Sequence, residues 1–168
     1  LLAAFNVEVE PIPNLKIASR AGLDGYISMA MANRVPSFLA TAGDGTRSRN
    51  TAFNYTATIT NTIEYSFGIG HDHQFVVLAG QEGVNNYYDA YSAGSEGISD
   101  DRLTNLQNGT QETYSVSESF SQSKFLSVFG RINYALMDKY YFDASVRNDA
   151  CSRFGPNNRN ATFWAAGG

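Results

Sequence analysis

The sequence has few charged residues, one cysteine and two histidines. Charged side chains make up 17% of the 168 residues, below the roughly 25% of an average soluble domain. The single cysteine, Cys151, excludes an internal disulfide and a cysteine-rich metal site. His71 and His73 flank Asp72, but a metal site needs further ligands that this segment does not offer, so we interpret it as a polar turn.

Long hydrophobic runs and basic clusters are also missing. No run approaches the 18 apolar residues of a transmembrane helix. Net charge is -4, the isoelectric point is near 5.1, and no patch of Lys and Arg stands out, which argues against a nucleic-acid partner. No Ser/His/Asp group can be assembled, because both histidines fall on one predicted turn, so we do not expect an enzyme. We expect no cofactor and no metal.

The sequence does contain long, regular alternation. Residues 53–67 read FNYTATITNTIEYSF, with apolar side chains at every odd position except Asn61 and polar ones at every even position. This period of two predicts a β-strand with one apolar face and one polar face. The strand would extend about 50 Å, or about 35 Å along the membrane normal at a tilt near 45°, enough to cross an apolar band about 25 Å tall. The segment therefore predicts a membrane-spanning strand.

The same alternation recurs upstream and downstream. Charged residues avoid the apolar face each time, as a lipid-exposed wall requires, because Arg or Lys facing lipid at mid-depth costs about 2 to 4 kcal/mol. The apolar positions are Leu15, Ile17, Ala21, Leu23, Ile27, Met29 and Met31, then Leu126, Val128, Ile132, Tyr134 and Leu136, then Tyr140, Phe142, Ala144 and Val146. The fold class that we predict is an all-β, antiparallel transmembrane β-barrel segment of about six to seven strands.

The predicted connections alternate between short and long. Outer-membrane barrels have short periplasmic turns and longer extracellular loops, so the alternation assigns an inside and an outside. We predict strands at about 1–10, 14–31, 50–67, 74–91, 123–136, 139–150 and 160 onward, with long loops around 32–49, 92–122 and 151–159. A helical turn is expected at 99–103 within the longest loop. Tyr87, Tyr88 and Tyr91 read as an aromatic girdle at the membrane interface.

Side-chain parity predicts the register of the last hairpin. Pairing Ile132 with Phe142 sets outward residues opposite outward residues, and it sets Arg131 opposite Asp143 on the other face. A two-residue turn would instead place an outward-facing residue opposite an inward-facing one in every pair. We therefore expect a three-residue connection here.

Two groups of polar residues are candidates for contact with a solute. Those of the predicted inner faces are expected to line a lumen or to hydrogen-bond within the wall. They are Arg20, Asp24, Glu64, Arg131, Asn133, Asp143 and Arg147. Those of the predicted outer loops are expected to meet cargo or a lid. They are Asp100, Asp101, Arg153, Asn157, Asn158 and Arg159. The adjacent Asp100 and Asp101 lack the spaced oxygen ligands of an EF-hand calcium loop around them. We therefore interpret both as loop residues and leave calcium binding open.

The carboxyl-terminal third resembles a known family. Residues 125–134 (FLSVFGRINY), 138–140 (DKY) and 145–159 (SVRNDACSRFGPNNR) are similar to segments of the SusC/RagA family of TonB-dependent outer-membrane transporters. Residues 61–65, 73–82 and 99–103 resemble further family segments in family order, so the likeness covers most of the chain. The RagA branch is somewhat closer, through 146–149 and 157–159. Cys151 stands where a small residue such as Ser or Gly is expected, which we interpret as a tolerant outer loop.

This resemblance implies a barrel of about 22 strands with a plugged lumen. It also implies a SusD-like surface lipoprotein as lid, uptake of oligopeptides or oligosaccharides, and energy from a TonB complex acting through the plug. We expect residues 1–168 to be part of one barrel domain, without the plug and the amino-terminal extension. The expected location is the outer membrane of a Gram-negative bacterium, in contact with lipid. The alternatives are an outer-membrane porin or adhesin, and a soluble carbohydrate-binding β-sandwich.

Overall fold

The computed structural model describes residues 1–38, 45–155 and 160–168. They form seven strands and three short 3₁₀ helices. The strands are β1 (Leu2–Ile12), β2 (Leu15–Arg34), β3 (Gly45–Ile69), β4 (His73–Ile98), β5 (Ser115–Leu136), β6 (Tyr140–Cys151) and β7 (Asn160–Gly167). The 3₁₀ helices are Pro36–Phe38, Leu106–Asn108 and Gln111–Thr113.

All seven strands belong to one antiparallel sheet in the order of the chain, from β1 to β7. This confirms the predicted all-β class and the number of strands. Strands in soluble domains usually run about 5 to 6 residues, whereas β3 has 25 and β4 has 26. In the described ranges, no helix has the length and apolar character needed to cross a membrane.

The connections alternate as predicted. Short turns follow β1, β3 and β5, and longer connections follow β2, β4 and β6. The longest predicted loop, 92–122, is shorter in the structure because β4 continues to Ile98 and β5 begins at Ser115. The expected helical turn at 99–103 is a single turn closed by the Leu103 amide on the Asp100 carbonyl, at 3.0 Å.

The register of the last hairpin corrects one prediction. The turn has the expected three residues, Met137 to Lys139, but Leu136 pairs with Tyr140, which moves every pair by two residues. Arg131 therefore lies opposite Ser145 instead of Asp143. The reason is the turn itself, because positive φ at Met137 and Asp138 lets the Lys139 amide reach the Leu136 carbonyl at 3.0 Å.

The sheet divides into two compact units, which we describe separately. The first unit contains Leu1–Asp24, Thr56–Asn86 and Ser123–Gly168. Its polar face carries hydrogen bonds between strands, such as that from Thr60 to Glu82. Its apolar face carries a row of ring contacts across β3 to β6, formed by Phe67, Phe75, Tyr134 and Phe142 with centroid distances of 5.1, 4.7 and 6.2 Å.

The second unit contains Gly25–Tyr55 and Tyr87–Gln122. Its polar face includes Ser92 and Ser117, whose hydroxyls hydrogen-bond at 2.6 Å. Its apolar face includes the stacked rings of Tyr55 and Tyr87, with centroids 4.9 Å apart. The loop 99–114 contacts β3 through the buried Arg47, which donates from Nη2 to the Leu103 carbonyl at 2.9 Å.

The apolar side chains do not form a core. Of the described residues, only Ala18, Ile98 and Cys151 are buried hydrophobics. Val128 is 58% exposed and Trp164 is 80% exposed, although both lie on well-paired strands. A β-sandwich would bury this face against a second sheet. Among the residues that the structure describes, no second layer covers it.

Candidate functional site

The polar face of the first unit is organised around Arg147 on β6. Its Nη2 donates to Glu82 Oε1 at 2.8 Å and to Ser127 Oγ at 2.9 Å. Its Nε donates to Asp149 Oδ1 at 2.6 Å. One guanidinium thus joins β4, β5 and β6, as its planar fork of donors allows. The alternation of β6 pointed to Arg147, but it did not point to these three partners.

A glycine and an aromatic ring complete this cluster. The guanidinium of Arg147 lies 5.5 Å from the ring centroid of Phe129, a distance at which cations are attracted to aromatic faces. On the adjacent strand, a Cβ added to Gly80 would come within 2.5 Å of the same ring. The ring of Phe129 therefore occupies the space that any side chain at position 80 would need.

Glu82 was missed because β4 alternates weakly. Val76 shares the polar face with Gln74, and together they line a cavity of about 150 Å³. Apolar residues on the polar face hide the period of two that revealed β3. The contact that places Glu82 on the polar face crosses from β3 to β4, because Thr60 donates to its Oε2 at 3.2 Å, and the pattern within either strand alone does not show it.

The other inner-face candidates are distributed over this face. Arg131 lies 3.9 Å from Glu64, so these two form a loose ion pair. Arg20 donates from Nε to Asn6 Oδ1 at 3.3 Å, and both residues border a cavity of about 490 Å³.

Three inner-face candidates remain. Asn133 pairs with Asp143 across the last hairpin, and both line the cavity of about 150 Å³. Asp24 pairs with Leu2 where β2 meets β1. The structure thus brings Glu64 to Arg131 and Asn133 to Asp143, and it does not gather all seven candidates at one site.

The predicted aromatic girdle is partly wrong. Tyr87 and Tyr91 lie on the apolar face of the second unit, where their rings contact Tyr55 and Phe53 at centroid distances of 4.9 and 6.4 Å. Tyr88 lines a cavity on the polar face. Adjacent residues of a strand point to opposite faces, so Tyr88 cannot share the girdle with Tyr87.

The histidine turn has a role that the sequence did not reveal. The Nδ1 of His73 lies 2.7 Å from the hydroxyl of Tyr134, and the two rings stack at 5.9 Å between centroids. His73 is the first residue of β4 and extends the ring row of the apolar face. Among the described residues, no group of three His, Cys, Asp or Glu side chains is placed to hold a metal ion.

The acidic loop residues are engaged with protein groups. Asp100 accepts from Nε of Arg102 at 3.0 Å and from Nη2 at 2.6 Å. The side-chain hydrogen bond from Arg102, with a smaller contribution from its backbone amide, holds the pKa of Asp100 below its ordinary value. Asp101 accepts from the amide of Ser37 at 3.1 Å and from its hydroxyl. The contact between Asp101 and Ser37 joins the connection after β2 to the connection after β4.

The remaining loop candidates follow β6. Arg153 lies in the turn after that strand, and Asn157, Asn158 and Arg159 lie outside the described residues. Cys151 corrects an expectation, because it is the last residue of β6, paired with Phe125 and 7% exposed, and not part of a loop.

The curated proteins that the chain resembles are both TonB-dependent receptors. TonB-dependent receptor P26 of Formosa agariphila is 31% identical over 101 residues, which are 59% of this chain and 10% of that protein. TonB-dependent receptor P3 of the same organism is 27% identical over 164 residues, which are 96% of this chain and 16% of that protein. No protein-family model matches the chain.

Solved structures agree with these relatives. The RagAB peptide transporter matches 98% of the chain with a TM-score of 0.93 and 32% identity. The RagAB peptide importer matches with TM-scores of 0.90 in its closed-closed state and 0.89 in its open-open state, both at 34% identity. The chain spans 19% of each of these structures, and so less than a fifth of the length of any relative described here.

Proposed function

Because the chain belongs to the SusC/RagA family of TonB-dependent receptors, we propose that it forms part of the barrel wall of an outer-membrane nutrient importer of a Gram-negative bacterium. Residues 1–168 would be one section of a single barrel domain. The relatives are named as receptors and transporters and not as enzymes. The chain would therefore supply wall and rim to the importer, and no chemical step.

The observation that carries this proposal is the bare apolar face. Ile59 and Val128 are at least half exposed although they lie within long, paired strands of 25 and 22 residues, and Trp164 on the edge strand β7 is 80% exposed. At about 25 cal/mol per Å², exposing such side chains to water is costly, whereas hydrocarbon accommodates them. The row of aromatic rings on the same face fits a membrane interface, where Tyr places its ring in the apolar region and its hydroxyl in the polar one.

The polar face would line the lumen. Arg147 is paired with Glu82 and Asp149, and Arg131 is paired with Glu64, so these charges satisfy one another within the wall. Such pairing ties neighbouring strands together, and it would keep these five charges from holding a solute. Energy for uptake would come from a TonB complex acting through a plug.

Cargo and partner are proposed from the relatives. The structural relatives are described as a peptide transporter, which favours oligopeptides as cargo over oligosaccharides. A SusD-like surface lipoprotein would act as the lid and would meet the long connections after β2, β4 and β6. The contact of Ser37 with Asp101 supports this assignment, because it holds two of these connections against each other.

Fractionation and uptake of the full-length protein test the proposal. We expect it in the outer-membrane fraction, with peptide uptake that stops when TonB is depleted. Uptake that persists without TonB would indicate a passive porin. Recovery of the full-length protein in the soluble fraction would contradict the membrane assignment and favour a sandwich.

A further inference from the structure

We propose that a cavity on the polar face of the second unit binds the main-chain amide groups of an extended peptide; this inference rests on the proposed peptide import. The cavity measures about 230 Å³ and is bordered by residues of β2, β3, β4 and β5. Whole ligands usually occupy about 300 to 1,000 Å³. The cavity would therefore hold one short section of a longer cargo.

The lining of this cavity is uncharged and combines polar side chains with the alanines Ala30, Ala52 and Ala90. Its hydrogen-bonding side chains include Ser28, Asn50, Tyr88, Ser92, Ser117 and Ser119. The charged residues next in sequence to this lining are Arg49 of β3, Asp89 of β4 and Glu118 of β5, and strand alternation directs all three to the opposite face. Arg49 contacts the sulfur of Met31, and Asp89 lies 3.5 Å from the hydroxyl of Tyr87 on the apolar face.

Most of this hydrogen-bonding capacity is unused. Ser92 and Ser117 bond to each other. Within the described part of the chain, the side chains of Ser28, Asn50, Tyr88 and Ser119 have no hydrogen-bond partner. Four neutral groups from four strands are thus available to one occupant. On the first unit, in contrast, the charged groups around Arg147 are bonded to one another.

The chemistry of these groups matches a peptide main chain. A hydroxyl both donates and accepts, and a side-chain amide carries one acceptor and two donors. An extended peptide offers N–H and C=O groups along its length at about 3.3 Å per residue. Side chains that can both donate and accept can bond to the N–H as well as to the C=O groups of a peptide, and none of them carries a charge that would favour one sign of peptide side chain. The cavity would therefore bind peptides irrespective of their side-chain charge.

Binding to the full-length transporter with its surface lipoprotein tests this inference. The probes are three acetylated and amidated oligopeptides: one of alanine and glycine, one that also carries glutamates, and one that also carries lysines. In Tyr88→Phe and in Asn50→Ala we expect binding of all three to weaken about two- to tenfold, as the loss of one hydrogen bond predicts. Tyr87→Phe is the matched control, because it removes the hydroxyl of the neighbouring tyrosine, which lies on the opposite face of the sheet.

The outcomes separate this inference from the proposed function. Equal weakening for the three peptides, with Tyr87→Phe unchanged, supports main-chain binding. Weakening confined to one charge class overturns it, and so does unchanged binding in both variants while the unmodified transporter binds peptide normally. If the unmodified transporter binds a maltooligosaccharide and no peptide, both the inference and the peptide import are wrong.

Discussion

The ring of Phe129 on β5 lies where a side chain at Gly80 on β4 would have to be. A Cβ built on Gly80 would meet two ring carbons at 2.5 and 2.6 Å, distances that real Cβ atoms do not show. The guanidinium of Arg147 lies 5.5 Å from the centroid of the same ring. This arrangement, an aromatic residue covering a glycine of the next strand, is known to pin strand register.

Gly80→Ala should destabilise the barrel by about 1 to 3 kcal/mol, the usual range for overpacking. Phe129→Ala in the same chain should recover part of that loss, because it removes the clashing ring. Unfolding of the full-length protein in urea, in a double-mutant cycle, measures both effects. Gly22→Ala is the control, since nothing lies within 4 Å of a Cβ there. Additive effects of the two substitutions would contradict the coupling.

Ile59→Arg should destabilise the membrane-inserted protein by about 2 to 4 kcal/mol, because it places a charge on the face assigned to lipid. Thr58→Arg, one residue away on the polar face, should cost far less. Folding in lipid vesicles, followed by heat-modifiable mobility on a gel, compares the two variants. Equal costs would show that residue 59 does not face hydrocarbon.

Arg147→Gln should destabilise the protein by about 1 to 2 kcal/mol, since it leaves Glu82 and Asp149 without their shared cation. The three side chains are 27 to 41% exposed, so solvent screening keeps the loss in this range. Adding Glu82→Gln should relieve part of it. Urea unfolding of the single and double variants measures the coupling, and strict additivity would argue against the network.

The loop ion pair should be sensitive to acid. The pKa of Asp100 is lowered in the folded protein by Arg102, so the contact is fully present above the ordinary value of about 3.8 and is lost as the pH falls through the lower folded value. Protection of the Arg102 amide, which donates to Asp100 Oδ1 at 2.9 Å, should fall in that acidic window. Hydrogen exchange compared with Asp100→Asn measures it; the same pH profile in both proteins would refute the assignment.

The 168 residues expressed alone should aggregate in water and become monodisperse in detergent. The physical reason is the exposed apolar face, on which Met29 is 75% and Val146 is 50% exposed. Light scattering with and without detergent measures this. A monodisperse fragment in plain buffer would count against the membrane assignment.

The sequence determined the strands, most of their faces and the family resemblance. Alternation with a period of two residues shows which side chains share a face of a strand. The long alternation of 53–67 was enough to predict a β-sheet, and the segment 145–159 was enough to predict the SusC/RagA resemblance. These predictions held because they depend on local geometry and on residue identity alone. Tyr88 is the exception, because alternation places it on the face opposite to that of Tyr87.

The tertiary structure decided which residues meet across strands. A shift of two residues keeps every side chain on its face, so parity could not choose between pairing Arg131 with Asp143 and pairing it with Ser145, and the backbone of the turn at Met137 made the choice. For the same reason, only the folded sheet revealed that Arg147 joins Glu82, Ser127 and Asp149. These contacts bridge up to 65 residues of sequence, and no local pattern encodes that distance.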